Sequence, residues 1–404
     1  MKITVINHSD TFGGASVVTF RLMEALRAEG VDARMLVAKK SSDSPYVEQF
    51  EPSSRIPFLQ EHLRIFTHNG FSRKRLFQVS IASDGLPLSR HPLVKNADAV
   101  ILNWVNQGTL SFGEIEKIAK EKPTFWTMHD QWNFTSICHH TGGCDRYKTH
   151  CQRCHYLGWM ASDRDLSYKV FEKKEKLYNS VEIIFVAVSK WLASRGATAA
   201  LFSGKKVVVI PNAFPVQRYA LPPKFTKKEL SLPEDKKIIV FCAARIDDPG
   251  KGLNDAVDLM NGIASTYGDS VCAVFVGACR DPRVLESLKI RHVEIGPVKD
   301  PDVIHSIMSH AAVVMSTSPF ETLSTTMIEA QAAGATPVCY THDGRGDIVT
   351  DRVNGYSLKD RNDVDSLREA LDRPIAKDVL RAAVERYRAS VVARQYINLL
   401  KEKI

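Results

Sequence analysis

Short apolar runs alternate with helix-length segments along almost the whole chain, and this alternation does most to limit the fold. Lys2-Ile3-Thr4-Val5-Ile6-Asn7 is a β-branched run that reads as a strand. A Gly13-Gly14 turn follows, then a helix from about Ala15 to Glu29, ended by Gly30. Arg34–Ala38, Ala99–Asn103, Pro123–Met128 and Glu182–Val188 read as further strands. The pattern resumes with Lys206–Ile210, Lys237–Cys242, Val271–Val276, Val293–Ile295, Ala312–Met315 and Thr336–Tyr340. Helices fit between them, one from about Gly252 to Tyr267. Strands joined through helices pair in parallel, with helices covering both sheet faces. The expected fold class is therefore α/β, with two Rossmann-like, doubly wound parallel sheets.

A chain of 404 residues has room for two domains. Pro211 and the stretch Pro215 to Pro223 break regular structure, so the boundary is expected near 195–205. This gives a first domain at 1–200 and a second at 201–384. A terminal segment, 385–404, is expected to cross back to the first domain. Val379 to Leu400 reads as an amphipathic helix. Two such lobes place a ligand in a cleft at the carboxyl ends of the strands. No apolar run reaches the length of a membrane span. The N-terminus enters a strand at once, without a signal peptide's apolar region, so a cytoplasmic protein is expected. A net charge of +8 suits polyanionic ligands, an anionic membrane surface or nucleic acid, and does not choose among them. Between Ser53 and Ile81, Arg55, Arg64, Arg73, Lys74 and Arg75 mix with apolar residues. Such a segment lies on a membrane surface or packs as an ordinary amphipathic helix pair.

Three groups of residues carry candidate chemistry. Glu321 falls on a strand-to-helix turn, and Glu329 lies further along the helix that starts near Ser324. The backbone at Leu323-Ser324-Thr325 offers a helix N-terminus, which attracts phosphate. Ser324 is positioned to cap that helix. Carboxylates beside it accept hydrogen bonds from sugar hydroxyls. Arg245 ends a strand and Lys251 follows a Pro-Gly turn, a pair suited to neutralising a diphosphate. Gly13-Gly14 opens a helix and lets a phosphate or sugar approach the backbone. No third glycine completes a dinucleotide fingerprint there, which disfavours a NAD enzyme.

In order along the chain these pieces resemble the retaining, nucleotide-sugar-dependent enzymes of glycosyltransferase family 4. The matching segments are Gly13-Gly14-Ala15, Val188-Ser189-Lys190-Trp191, Ile210-Pro211-Asn212, and Arg245 to Lys251-Gly252. Val276-Gly277, Ile295-Gly296 and Glu321 to Glu329-Ala330 follow, then Ala333-Gly334-Ala335-Thr336-Pro337 and Asp347 with Asn354-Gly355-Tyr356. The resemblance implies a GT-B fold and front-face displacement with retention at the anomeric carbon. It assigns Glu321 to the donor sugar and Glu329 to the ribose. Arg245, Lys251 and the Leu323-Ser324-Thr325 backbone fall to the diphosphate, and His129 to the reacting sugar. A metal is not required for that chemistry. The implied partners are a UDP- or GDP-sugar and a saccharide acceptor, lipid-linked, at the inner membrane surface. The chain departs from the family at Thr322-Leu323-Ser324, Ala213-Phe214-Pro215 and Asp343-Gly344-Arg345-Gly346.

Four of the eight cysteines fall within 138–154, spaced Cys-x5-Cys-x6-Cys-x2-Cys. Cys138, Cys144, Cys151 and Cys154 together have the composition of a structural zinc site. Disulfides and packed free thiols are the other readings. The segment resembles a colanic-acid, exopolysaccharide-building subgroup of the family, in which a His-Asp pair precedes such an insertion. Asp130 is accordingly a candidate base or acceptor-hydroxyl partner. Two rival functions are an epimerase or phosphorylase on the same architecture, and a zinc-knuckle nucleic-acid binder. The charge is spread along the chain rather than banked in a stripe, which argues against nucleic acid.

Overall fold

The computed structural model describes residues 1–51, 53–73 and 75–404. Lys74, named above in the basic-apolar segment, lies outside the described residues. The chain divides into two compact units. One comprises Met1–Ala213 with Ala389–Ile404, the other Phe214–Arg388.

The first unit is built on a seven-stranded parallel sheet. Its strands are β1 (Lys2–Ser9), β2 (Asp32–Lys39), β3 (Val47–Gln49), β4 (Ala99–Leu102), β5 (Thr124–Met128), β6 (Ile183–Ala187) and β7 (Val207–Val209), in the order β3-β2-β1-β4-β5-β6-β7. β4, β5 and β6 are buried at every position, the mark of strands covered on both faces. β7 was expected to open the second half. It instead pairs with β6 (Phe185 to Val207, Ala187 to Val209), so the first unit runs on to Ala213. The proline-rich stretch begins only after that strand. The helix Ala389–Lys401 belongs to this unit and packs on the helix Gly14–Ala28. It contributes Val392, Ala393, Tyr396, Leu399 and Leu400 to the core beside β1 and β2. Tyr396 Oη lies 2.9 Å from Thr127 Oγ1 on β5. The expected continuous helix over 379–400 is broken: Lys377–Val384 ends in a 3-10 turn at Glu385–Tyr387 before the last helix begins.

The second unit has a six-stranded parallel sheet. Its strands are β8 (Lys237–Arg245), β9 (Val271–Ala278), β10 (Arg291–Gly296), β11 (Ala311–Ser316), β12 (Thr336–Tyr340) and β13 (Tyr356–Leu358). The order β10-β9-β8-β11-β12-β13 repeats that of the first sheet. In both sheets the order reverses beside the first strand, between β1 and β4 and between β8 and β11. Loops leaving two such strands diverge to opposite faces and leave a crevice at their carboxyl ends.

Candidate functional site

β8 and β11 are neighbours at the reversal of the second sheet, and their following loops carry the predicted cations and the first predicted glutamate. β8 ends at Arg245, and the turn Asp248 to Lys251 is tightened by Asp248, whose side chain accepts from Gly250 N–H. Gly252 then takes φ 72, a left-handed conformation that a side chain resists. A Cβ on Gly252 would stand 2.0 Å from the carbonyl oxygen of Thr317, just past β11. Thr317 Oγ1 donates to Gly252 O at 2.7 Å, completing the contact. This close approach of two backbones sets Lys251 beside Glu321, with Nζ 2.8 Å from Oε1. Arg245 donates to Asp248 Oδ2 at 2.9 Å, while its buried Nε, 3.5 Å from Asp247 Oδ1, has no hydrogen-bond partner among the described residues. Both cations thus rest on internal carboxylates. Such half-exposed pairs are worth about 0–1 kcal/mol, so an incoming anion displaces them cheaply.

Glu321 is held by residues that the sequence reading treated only as a departure. Its N–H donates to Asp343 Oδ2 at 2.8 Å, and its carbonyl accepts from Gly344 N–H at 3.0 Å. Gly344 fits because a Cβ there would fall 1.8 Å from Thr322 O. Asp343 is locked in turn by a two-pronged bond from Arg345, Nε at 2.9 Å and Nη2 at 2.7 Å, with both side chains almost wholly buried. The visible signal was the Asp-Gly-Arg run itself, a short acid-base pair around a glycine.

The helix Thr325–Ala333 begins where expected, with Leu323 and Ser324 buried and Thr325 half-buried at its start. Ser324 occupies the N-cap position, but its side chain makes no cap hydrogen bond, contrary to expectation. Glu329 is half-buried on this helix, within electrostatic reach of Cys242 on β8.

In the first unit, Gly13 takes φ 88 before the helix Gly14–Ala28. Both glycines are exposed, and a Cβ on either would meet nothing within 4 Å among the described residues. Packing therefore does not explain Gly14. His129 follows β5, half-buried, with Nε2 3.0 Å from Asn103 Oδ1 beyond β4. Burial lowers its pKa to about 4 despite the adjacent Asp130, so the ring is neutral at pH 7. Asp130 accepts from Trp104 Nε1 at 3.0 Å, from Trp132 N–H at 2.8 Å and from His139 Nδ1 at 2.7 Å. Burial alone would raise its carboxyl, but the facing His139 and these donors outweigh it and hold it down to about 2. A carboxylate so placed orients its neighbours and has little affinity for a substrate proton.

The four clustered cysteines line one cavity of about 20 Å³ in the first unit. All are free thiols. As they stand, no group of three or more His, Cys, Asp or Glu side chains among the described residues is arranged to hold a metal ion. Burial pushes Cys138, Cys151 and Cys154 up to about 12, so as lone thiols they are poor nucleophiles.

The basic-apolar segment forms the helix Arg55–His68, which packs inside out. Its inward face carries Glu61, His62 and Ile65. Glu61, 1% exposed, accepts from Ile81, Ala82 and Gly108 N–H at 2.7–2.9 Å and so pins two loops. Its outward face shows Ile56, Leu59 and Leu63 to solvent, each more than 60% exposed. Phe71, Phe77 and Trp159 are exposed as well. No helix among the described residues is long and apolar enough to cross a membrane.

Residues 224–390 match the family model described as glycosyl transferases group 1. The matched stretch covers most of the second unit and includes Arg245, Lys251, Glu321 and Glu329. A putative colanic acid biosynthesis glycosyl transferase of Escherichia coli K12, WcaC, is 27% identical over 138 residues, 32% of this chain. The match spans a third of that relative's length (33%). Among solved structures, Anabaena HepE in complex with UDP and glucose superposes with a TM-score of 0.64 at 15% identity, over the full length of both chains. A sucrose-phosphate synthase of Thermosynechococcus elongatus gives 0.68 at 15% identity, covering 100% of this chain and 98% of its own. At such identities the likeness shows the fold, the two Rossmann-like domains of the GT-B glycosyltransferases.

Proposed function

We propose that the chain is a retaining glycosyltransferase that moves a sugar from a UDP- or GDP-sugar to a saccharide acceptor during polysaccharide biosynthesis. One observation carries this reading. At the order reversal of the second sheet, Lys251 and Glu321 meet at 2.8 Å, on loops that also bear Arg245 and lead into an uncapped helix start. A nucleotide-sugar presents the groups that this set recognises. Its diphosphate takes Lys251 and Arg245 from their internal carboxylates and accepts from the backbone of Leu323-Ser324-Thr325. Glu321, released from Lys251, accepts from hydroxyls of the donor sugar, and Glu329 accepts from the ribose. As the anomeric bond breaks, charge builds on the departing diphosphate. Fixed cations and amides stabilise that charge without reorganising, which supplies most of the rate. His129, neutral, serves the reacting sugar, and the open backbone at Gly13-Gly14 admits a sugar or phosphate. UDP in complexes of the structurally similar HepE supports a nucleotide donor.

The acceptor is proposed to be lipid-linked. The exposed stripe of Ile56, Leu59 and Leu63, with Arg55 and Arg73, suits an anionic cytoplasmic membrane surface. Thermal denaturation with UDP-, GDP-, ADP- and dTDP-sugars tests the donor reading. At least one is expected to raise the melting temperature, and no shift from any at millimolar concentration would overturn it.

A further inference from the structure

The segment between β5 and the helix Leu166–Ser180 is long, and it holds its shape with almost no regular structure. From Cys138 to Cys154 the described backbone contains a single 3-10 turn, Arg146–Lys148. Its entry is pinned where Cys138 bridges to Val79 and Ser80 N–H donates to Ile137 O at 2.8 Å. Its exit is pinned where Cys154 N–H donates to Asp165 Oδ2 at 2.9 Å. Between these ends Tyr147 is buried and Arg146 donates to the carbonyls of Gln152 and Arg153; long irregular segments that keep an ordered shape are commonly functional.

Cys138, Cys144, Cys151 and Cys154 come from different points of the segment and converge on one cavity of about 20 Å³, room for a single water-sized body. Each thiol lies within electrostatic reach of the other three. The set is therefore one cluster rather than two separate couples. The backbone of Ser136 lies beside Cys151, and that of Tyr156 beside Cys154. Behind the cluster, Lys174 is wholly buried. Its Nζ donates to the carbonyls of Trp132 and Thr135 and sits 3.5 Å from the Trp132 ring centre. Burial lowers its pKa, and Asp130, Cys138 and Cys151 act on it in the opposite sense; a buried ammonium is costly unless anions stand nearby.

We infer that Cys138, Cys144, Cys151 and Cys154 bind one structural zinc ion as a tetrathiolate. Four thiols give up their protons to solvent as four Zn–S bonds form, leaving a centre with two net negative charges. That charge would add to Asp130 as a counterpart for Lys174. As they stand the sulfurs are not arranged to hold an ion, so binding requires them to draw in to Zn–S bonds of about 2.3 Å. The histidines nearby have other work. His139 is bonded through both nitrogens, to Asp130 and to Ser80, and His150 is stacked on Tyr168 and Phe171. A closed tetrathiolate leaves no open coordination position, so the ion fastens the segment and takes no part in transfer.

Metal analysis of the full chain, purified without a metal-binding tag, tests this. About one zinc per chain is expected. Cys151→Ser and Cys154→Ser should lower the content at least tenfold, while Cys279→Ser in the other unit should leave it unchanged. Should the loop variants fail to fold, the wild-type protein decides alone. After reduction, zinc removal and loading with Co2+ it should show the sulfur-to-cobalt charge-transfer and d–d bands of a tetrahedral tetrathiolate. Reduced wild-type protein that holds no zinc and takes up no Co2+ would overturn the proposal. So would an intact mass four hydrogens light, with both disulfides mapped within 138–154.

Discussion

Lys251 and Glu321 are 70 positions apart, and their meeting at 2.8 Å depends on the Gly252–Thr317 contact and on the buried Asp343–Arg345 pair that holds Glu321. Glu321→Gln keeps the shape but weakens the acceptor for both Lys251 and sugar hydroxyls. Sugar transfer is expected to fall at least a hundredfold with donor affinity little changed, whereas Glu329→Ala should chiefly weaken donor binding. Initial rates against donor concentration separate the two. Acidity gives a second test. Burial lowers His8 and His129 to about 4, so both stay neutral in the native state when the unfolded chain has begun to protonate them near 6.5. The unfolded state then binds more protons, and stability falls as pH drops from about 6.5 toward 4, by at most about 1.4 kcal/mol per pH unit for each ring. Asp130, held at about 2, keeps its contribution above the ordinary carboxylate range and loses it only toward pH 2, outside this window. Melting temperature should therefore fall between pH 7 and pH 5, and less so in His8→Asn. The residues Arg245, Lys251, Glu321 and Glu329 could be picked out in sequence because each sits at a strand end or on a helix with a recognisable neighbour. The Asp343–Arg345 support could not, since its meaning lies in a hydrogen bond to a backbone N–H on another loop.

At the level of elements, two neighbouring substitutions should behave in opposite ways. Ser324→Ala removes a hydroxyl that caps nothing, so the usual loss of about 1 kcal/mol for a serine cap is not expected. The melting temperature should stay within the error of the measurement. Gly252→Ala forces a side chain into a left-handed turn, at about 1–2 kcal/mol, and drives it against Thr317 O. Both stability and donor affinity should fall, because Lys251 moves with the turn. Calorimetry and donor titration on the pair read this contrast. Apart from the three-residue strands β3 and β13, which were not read, strand positions were legible from sequence, as runs of Val and Ile buried on both faces leave little choice. Helix ends were less so. The break at Glu385–Tyr387 has no proline or glycine to announce it, and the outward Ile56–Leu59–Leu63 stripe reads in sequence like any core-facing face.

At the scale of the molecule, the two units differ in how the chain composes them. Phe214–Arg388 is one uninterrupted stretch, whereas the first unit needs both Met1–Ala213 and Ala389–Ile404. The sequence hinted at a returning helix but misplaced the boundary, because the proline-rich stretch advertises a break and the strand before it is only three residues long. Removing 389–404 exposes the places of Val392, Tyr396 and Leu400 on the first core. At roughly 1.5–3 kcal/mol for each buried side chain, the loss is on the order of a whole domain's stability. The truncated chain is expected to lose the first unit's unfolding transition while residues 214–388 still melt cooperatively, which calorimetry can resolve. The same division dictates an order of events during synthesis. Everything needed for the second sheet leaves the ribosome before the last helix of the first, so the later-encoded unit can finish folding while the earlier one still waits, its apolar groove beside β1 and β2 open to chaperones until the final residues arrive.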